Sequence, residues 1–81
     1  MLAIDSIMIR ISNQIGVIQG ISKTPYYLCI SRPIYNLMKV YLEQAYPDIY
    51  TQSFNMFEGL EVIVFDEAAE DFIDVKGVKF S

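Results

Sequence analysis

Between Asp66 and Asp74 the chain places Asp66, Glu67, Glu70, Asp71 and Asp74, five carboxylates in nine positions, and three chemistries can use such a cluster. A calcium loop needs oxygen ligands at alternating positions and a glycine at its sharp bend. Ala68 and Ala69 stand where ligands would have to fall, so no metal site is expected. A general acid and base need a pocket that raises one carboxyl above the other. An acidic turn on a chain of 81 residues offers little shelter of that kind. The third use is an acidic surface that docks on a basic protein face, including one that normally holds phosphates. Complementary potential then speeds encounter and sets orientation. Its plain alternative is a solvated turn that only keeps a small domain soluble.

Few other side chains could carry a reaction. The chain has no histidine and a single cysteine, Cys29. Without histidine there is no Ser–His or Cys–His nucleophile and the commonest zinc ligand is missing, while one thiol makes neither a cysteine-based zinc site nor an internal disulfide. Cys29 itself reads as a small apolar core residue, with Arg32 the only cation near it in sequence. A protein without catalytic residues, cofactor or metal is expected.

Charge is segregated along the chain. Up to Pro47 four basic residues stand against two acidic ones, whereas beyond it eight acids face only Lys76 and Lys79. The expected partner site is therefore an acidic rim of Asp66, Glu67, Glu70, Asp71 and Asp74 around an aromatic patch of Phe72, Phe54 and Phe57. Buried anchors carry most affinity, and rim charges set rate and specificity. Phosphate neutralisation needs clustered Lys and Arg, and the six basic residues here are scattered, so direct nucleic-acid binding is not expected. Tyr26, Tyr27, Tyr35, Tyr41, Tyr46 and Tyr50 lack a basic and aromatic pattern for base stacking and suit a core border or a protein interface. Arg32, just inside the helix start, is expected to pair with a carboxylate or with solvent and not with a ligand.

No apolar run approaches the length of a bilayer span, and the amino terminus lacks the basic start of a secretory signal, so no membrane association and a cytoplasmic location are expected. The lone cysteine agrees with that compartment. A composition rich in Ile and Tyr and poor in Ala and Arg is compatible with an accessory protein from an AT-rich genome, phage genomes included, which would then act in the host cytoplasm.

These side chains need a scaffold, and 81 residues at 53% hydrophobic support a single domain, residues 1–81, with a core of its own. Isoleucine outnumbers leucine by 12 to 5, and β-branched side chains favour strands. The exception runs from Pro33 to Ala45. There Ile34, Leu37, Met38, Tyr41, Leu42 and Ala45 recur at steps of three and four, a helix stripe, with Ser31 as N-cap and Pro47 as stop. Tyr26 to Ile30 reads as a strand with Tyr26, Leu28 and Ile30 on one face and Tyr27 and Cys29 on the other. Residues 4 to 18 satisfy both periods. Isoleucine density, Gly16, Gly20 and a turn at Ser12-Asn13-Gln14 favour a hairpin. A connection starts at Tyr46-Pro47-Asp48 and runs through Thr51, Gln52, Ser53 and Asn55 towards Gly59 as a structured loop or short strand, part of which packs through Phe54, Met56 and Phe57. Leu60 to Phe65 is then a strand that is apolar on both faces. A turn capped by Asp66 then leads to an extended segment, Phe72 to Val75 and Val78 to Phe80, bent at Gly77.

The expected fold is α+β, a small two-layer domain with one amphipathic helix on a mainly antiparallel sheet in the order β-β-β-α-β-β. One helix covers one sheet face, which leaves Ile63 and Phe65 in need of cover, and a symmetric homodimer through the open face is the expected answer. The expected function is a non-enzymatic accessory or inhibitory module that binds a protein with a basic surface. A self-assembling structural subunit of a larger particle is the alternative.

Overall fold

A computed structural model of the chain describes residues 3–50 and 54–78. The elements in order are α1 (Ile4–Gly20), β1 (Thr24–Ser31), α2 (Arg32–Ala45), β2 (Met56–Phe57), β3 (Leu60–Phe65) and β4 (Ile73–Val78). The strands make one sheet in the order β2-β3-β1-β4, and the helices form the second layer of an α+β domain. Residues 51–53, and with them part of the expected connection, lie outside the described residues, as do Lys79 and Phe80 at the end of the expected last segment.

The amino-terminal hairpin is not formed: Ile4–Gly20 is one helix, so the order is α-β-α-β-β-β. Poor helix propensity costs Ile only some tenths of a kcal/mol, up to about 0.7, whereas full burial of its side chain contributes about 1.5–3 kcal/mol. The helical period buries Ile7 and Ile11 completely and packs Ile4, Met8, Ile15 and Ile18 against the same core, so burial prevails over propensity. Gly16 faces open space within this helix. The helix ends in a Schellman arrangement, with Ser22 N–H donating to the Gln19 carbonyl and Lys23 N–H to that of Ile18. The left-handed position is Ser22, with φ of 61°, and not a glycine.

Helix α2 forms over the expected span. Ser31 Oγ accepts from Ile34 N–H at 3.4 Å, and Pro33 fits the first turn, where its missing N–H is not needed. The buried stripe is Ile34, Met38 and Leu42, narrower than expected, because Leu37 at 38% exposure and Tyr41 at 39% sit on its flanks.

Strands β1 and β3 run parallel with α2 as the crossover between them, pairing Leu28 with Val62 and Ile30 with Val64. The other two pairings, β1 with β4 and β2 with β3, are antiparallel, so the sheet is mixed. The β2–β3 hairpin turns at Glu58 and Gly59, whose φ of 49° and 81° are the positive pair of a type I′ turn. Gly77 stays within β4, where a Cβ would come within 2.9 Å of the Thr24 carbonyl oxygen and 3.0 Å of Ile18. The ladder's irregularity lies on the partner strand, between Pro25 and Tyr27.

Both helices pack on one face of the sheet, where Leu28, Ile30, Leu60, Ile73 and Val75 meet them in a single core. Strand β4 is an edge strand, and Gln14 of α1 covers its outward backbone groups. The Gln14 Nε2 donates to the Ile73 carbonyl at 3.0 Å, and its Oε1 accepts from Val75 N–H at 2.6 Å. The side-chain amide thereby takes the place of a residue in a neighbouring strand and blunts the edge. Gln14→Ala is expected to destabilise the domain by about 1–3 kcal/mol by leaving both groups unmet, and to promote concentration-dependent association. Urea melts and size exclusion over a range of concentrations check this; unchanged stability would mean that the amide is dispensable.

Candidate functional site

The acidic turn owes its place to topology. Strands β3 and β4 flank β1 on opposite sides, so the connection from Phe65 to Ile73 must cross over the carboxyl end of β1, where α2 begins. Residues 66–71 form turns there without a helix, and Asp66 pairs with a side chain in place of the expected cap.

Each arm of the crossing is tied down. Ser31 ends β1 and is fully buried; its Oγ donates to the Glu70 carbonyl at 2.6 Å, and its N–H donates to the Phe72 carbonyl at 3.1 Å. Arg10 reaches from α1 to donate to the Asp71 carbonyl at 3.1 Å. Arg32 opens α2 and grips Asp66 through two bonds, Nε to Oδ1 at 2.7 Å and Nη2 to Oδ2 at 3.4 Å. That hydrogen bond holds the Asp66 carboxyl below the usual carboxylate range, with desolvation working against it, and raises the guanidinium in turn. Helix α2 has no acidic residue in its own first turn, so the crossing acids sit where the positive pole of the helix favours negative charge.

Among the clustered acids, Asp66 is engaged by Arg32, and Asp74 is engaged by Lys76 at 2.7 Å. Glu67, Glu70 and Asp71 are exposed, and among the described residues no ion pair engages their carboxylates. The backbone of the turn is thus held by cationic and hydroxyl side chains while three carboxylates project into solvent. Such a loop loses little conformational freedom on binding.

The turn borders an apolar surface. Phe65 and Phe72 meet edge to face with ring centres 5.7 Å apart, and they floor a shallow hollow whose rim includes Asp66 and Glu67. Beyond it lies the sheet face that no helix covers. Strand alternation sends Tyr27 and Cys29 of β1, Ile63 and Phe65 of β3, and Asp74 and Lys76 of β4 to this side. Met56 of β2 joins them, opposite Glu61, and is 49% exposed. Cys29 is buried beneath the Asp74–Lys76 pair. Burial pushes its thiol up, Lys76 draws it part of the way back, and Asp74 adds to the rise, which suits a packing residue and not a nucleophile.

Two of the expected anchors are elsewhere. Phe54 and Phe57 are buried in the core, Phe54 stacked on Tyr35 at 5.4 Å and edge-on to Phe57 at 6.2 Å, and neither reaches the acidic turn. A buried ring removes more apolar area from water than a rim position allows, so the packing expected of this connection takes both rings into the core and away from the turn. Phe72 lies beside the acidic turn, in contact with Phe65. The ties from Arg10 and Ser31 were not anticipated, because both depend on which element crosses which strand. Among the described residues no group of three or more Cys, Asp or Glu stands close enough to hold a metal ion, and no helix is long and apolar enough to cross a membrane.

No family model, curated protein or solved structure matches this chain. The functional reading rests on the geometry of the turn and the open sheet face.

Proposed function

We propose that the domain is a non-enzymatic protein-binding module, accessory or inhibitory in action, that sets its acidic turn and the Phe65–Phe72 pair against a basic protein surface. One observation carries this reading: Glu67, Glu70 and Asp71 are exposed, with no ion pair among the described residues, on a turn whose backbone is held by Ser31 and Arg10. A turn that served only solubility would not need such fixation. A rigid display matches a partner whose cations have fixed places, including a face that otherwise holds nucleic-acid phosphates. A cytoplasmic site of action, in the host if the chain is viral, belongs to the same reading.

The uncovered sheet face favours a second association, a symmetric homodimer through Ile63 and Phe65. Phe65 is 42% exposed, and among the described residues α1, like α2, packs on the opposite side of the sheet. The two uses overlap at Phe65, so partner binding and self-association compete. An extended version of the same contact is the rival reading, a structural subunit that assembles into a larger particle.

The acidic turn is tested by capture from host lysate with the wild-type domain and with the triple variant Glu67→Lys, Glu70→Lys, Asp71→Lys. The expected result is a partner, identified by mass spectrometry, that the wild type retains at low salt and the variant does not. Equal retention by both would move the binding site away from the turn.

A further inference from the structure

A groove of about 350 Å³ opens on the helical side of the domain, bordered by α1, the carboxyl end of α2, the turn that follows it and the β2–β3 hairpin. That volume is in the range of small-ligand sites. Its lining is unusual for so small a domain, since Tyr41, Tyr46 and Tyr50 contribute three phenol rings and Glu58 a carboxylate. Tyr46 N–H bonds the Leu42 carbonyl at 2.8 Å and Tyr50 N–H bonds that of Tyr46 at 3.1 Å, so the two tyrosines stand at either end of one hydrogen-bonded turn. Tyr50 is also braced edge-on by Phe54, with ring centres 6.0 Å apart.

The electrostatics of the groove have one sign. Among the described residues no Lys or Arg lines it, and α2 ends there with no basic residue in its last turn, so none of them offsets the negative pole of the helix locally. Among the described residues no ion pair engages Glu58. Burial and then the Glu58 charge raise the Tyr50 phenol, which keeps that ring neutral. Aromatic rings attract cations through their quadrupole, and several rings beside a carboxylate suit a bulky, weakly hydrated one.

We propose that this groove binds an organic ammonium group of the quaternary or N-methylated class, seated among Tyr41, Tyr46 and Tyr50 with its charge balanced by Glu58. The site lies in the helical layer, away from the acidic turn and the open sheet face, and does not depend on their role.

The test is a titration followed by NMR of the tyrosine rings, using choline, its uncharged isostere 3,3-dimethylbutan-1-ol, and the N-acetyl amide of trimethyl-lysine. Saturable, millimolar or tighter shifts at Tyr41, Tyr46 and Tyr50 are expected with the cations, and about tenfold weaker binding with the alcohol. Preference for choline would assign the groove to a small free ion, and preference for the lysine derivative to a methylated protein side chain. Glu58→Asn is expected to weaken cation binding about tenfold with an unchanged or higher Tm, since asparagine suits the positive φ of an I′ turn better than glutamate does. Tyr46→Leu, at an exposed position, is expected to weaken it similarly while the triple reversal of the acidic turn leaves it unchanged. Equal affinity for choline and the alcohol, no saturation with either cation, or wild-type affinity in Glu58→Asn would overturn the proposal.

Discussion

Leu42→Ala is expected to lower the free energy of unfolding by about 2–5 kcal/mol, as a fully buried Leu truncation does. Leu42 lies in the α2 stripe with Ile34 and Met38, inside the core shared by both helices and the sheet. A domain of this length has roughly 4–12 kcal/mol of stability in all, so the loss removes a large share of it. Lys39→Ala, on the opposite face, is expected to stay within about 0.5 kcal/mol, because its 3.5 Å pair with Glu43 is solvent-exposed. Leu37→Ala should fall between them, since that side chain is 38% exposed. Urea unfolding of the three variants reads the order directly; equal and small losses at positions 42 and 39 would contradict the packing of α2.

Phe65→Glu is expected to turn a dimer into a folded monomer. The uncovered sheet face carries Phe65 beside Phe72, with Ile63, Tyr27 and Met56 in the adjoining rows. Across a two-fold axis each copy would bury the same residues of the other, so one substitution introduces two carboxylates into the apolar contact. A central aromatic anchor is worth about 2 kcal/mol or more, and two copies of its loss weaken association roughly a thousandfold. Light scattering at high micromolar concentration should give a dimer for the wild type and a monomer for the variant, with unchanged circular dichroism. A monomeric wild type would exclude the dimer.

What the sequence discloses depends on whether one physical signal dominates a segment. In α2 the cap, the first-turn proline and the apolar period agree, and the helix forms between the expected ends. Leu60 to Phe65 is a short, largely β-branched apolar run and forms β3, with Phe65 left exposed. The signals conflict in residues 4 to 18. Isoleucine propensity points to strand while spacing permits helix, and the choice is made by tertiary burial of Ile7 and Ile11, which no local window contains. Ser22 at the left-handed position hides the end of α1, because serine gives no such warning in sequence. At the candidate site the carboxylates were visible as a run, whereas their sorting into engaged and free groups was not. That sorting follows from Arg32 reaching the Asp66 carboxylate across 34 positions and from Lys76 pairing with Asp74, whereas Arg10, 61 positions from Asp71, holds only that residue's backbone carbonyl. Phe54 and Phe57 lie in the core and not beside the turn for the same reason, since membership of the core is a property of the assembled layers.

The proposal that three exposed carboxylates on a backbone-anchored turn steer this domain onto a basic protein is tested most directly by the association rate with the captured partner as ionic strength is varied. Between about 0.01 and 0.15 M salt the Debye length falls from about 30 to 8 Å, so steering by exposed charge must weaken across that interval. Stopped-flow mixing of the wild type should give a rate that falls steeply over this range. The Glu67, Glu70 and Asp71 reversal should associate at least about tenfold more slowly at the low-salt end, with little salt dependence, while remaining folded. Equal rates for wild type and variant at low salt would contradict the account and leave the turn as a solubilising surface.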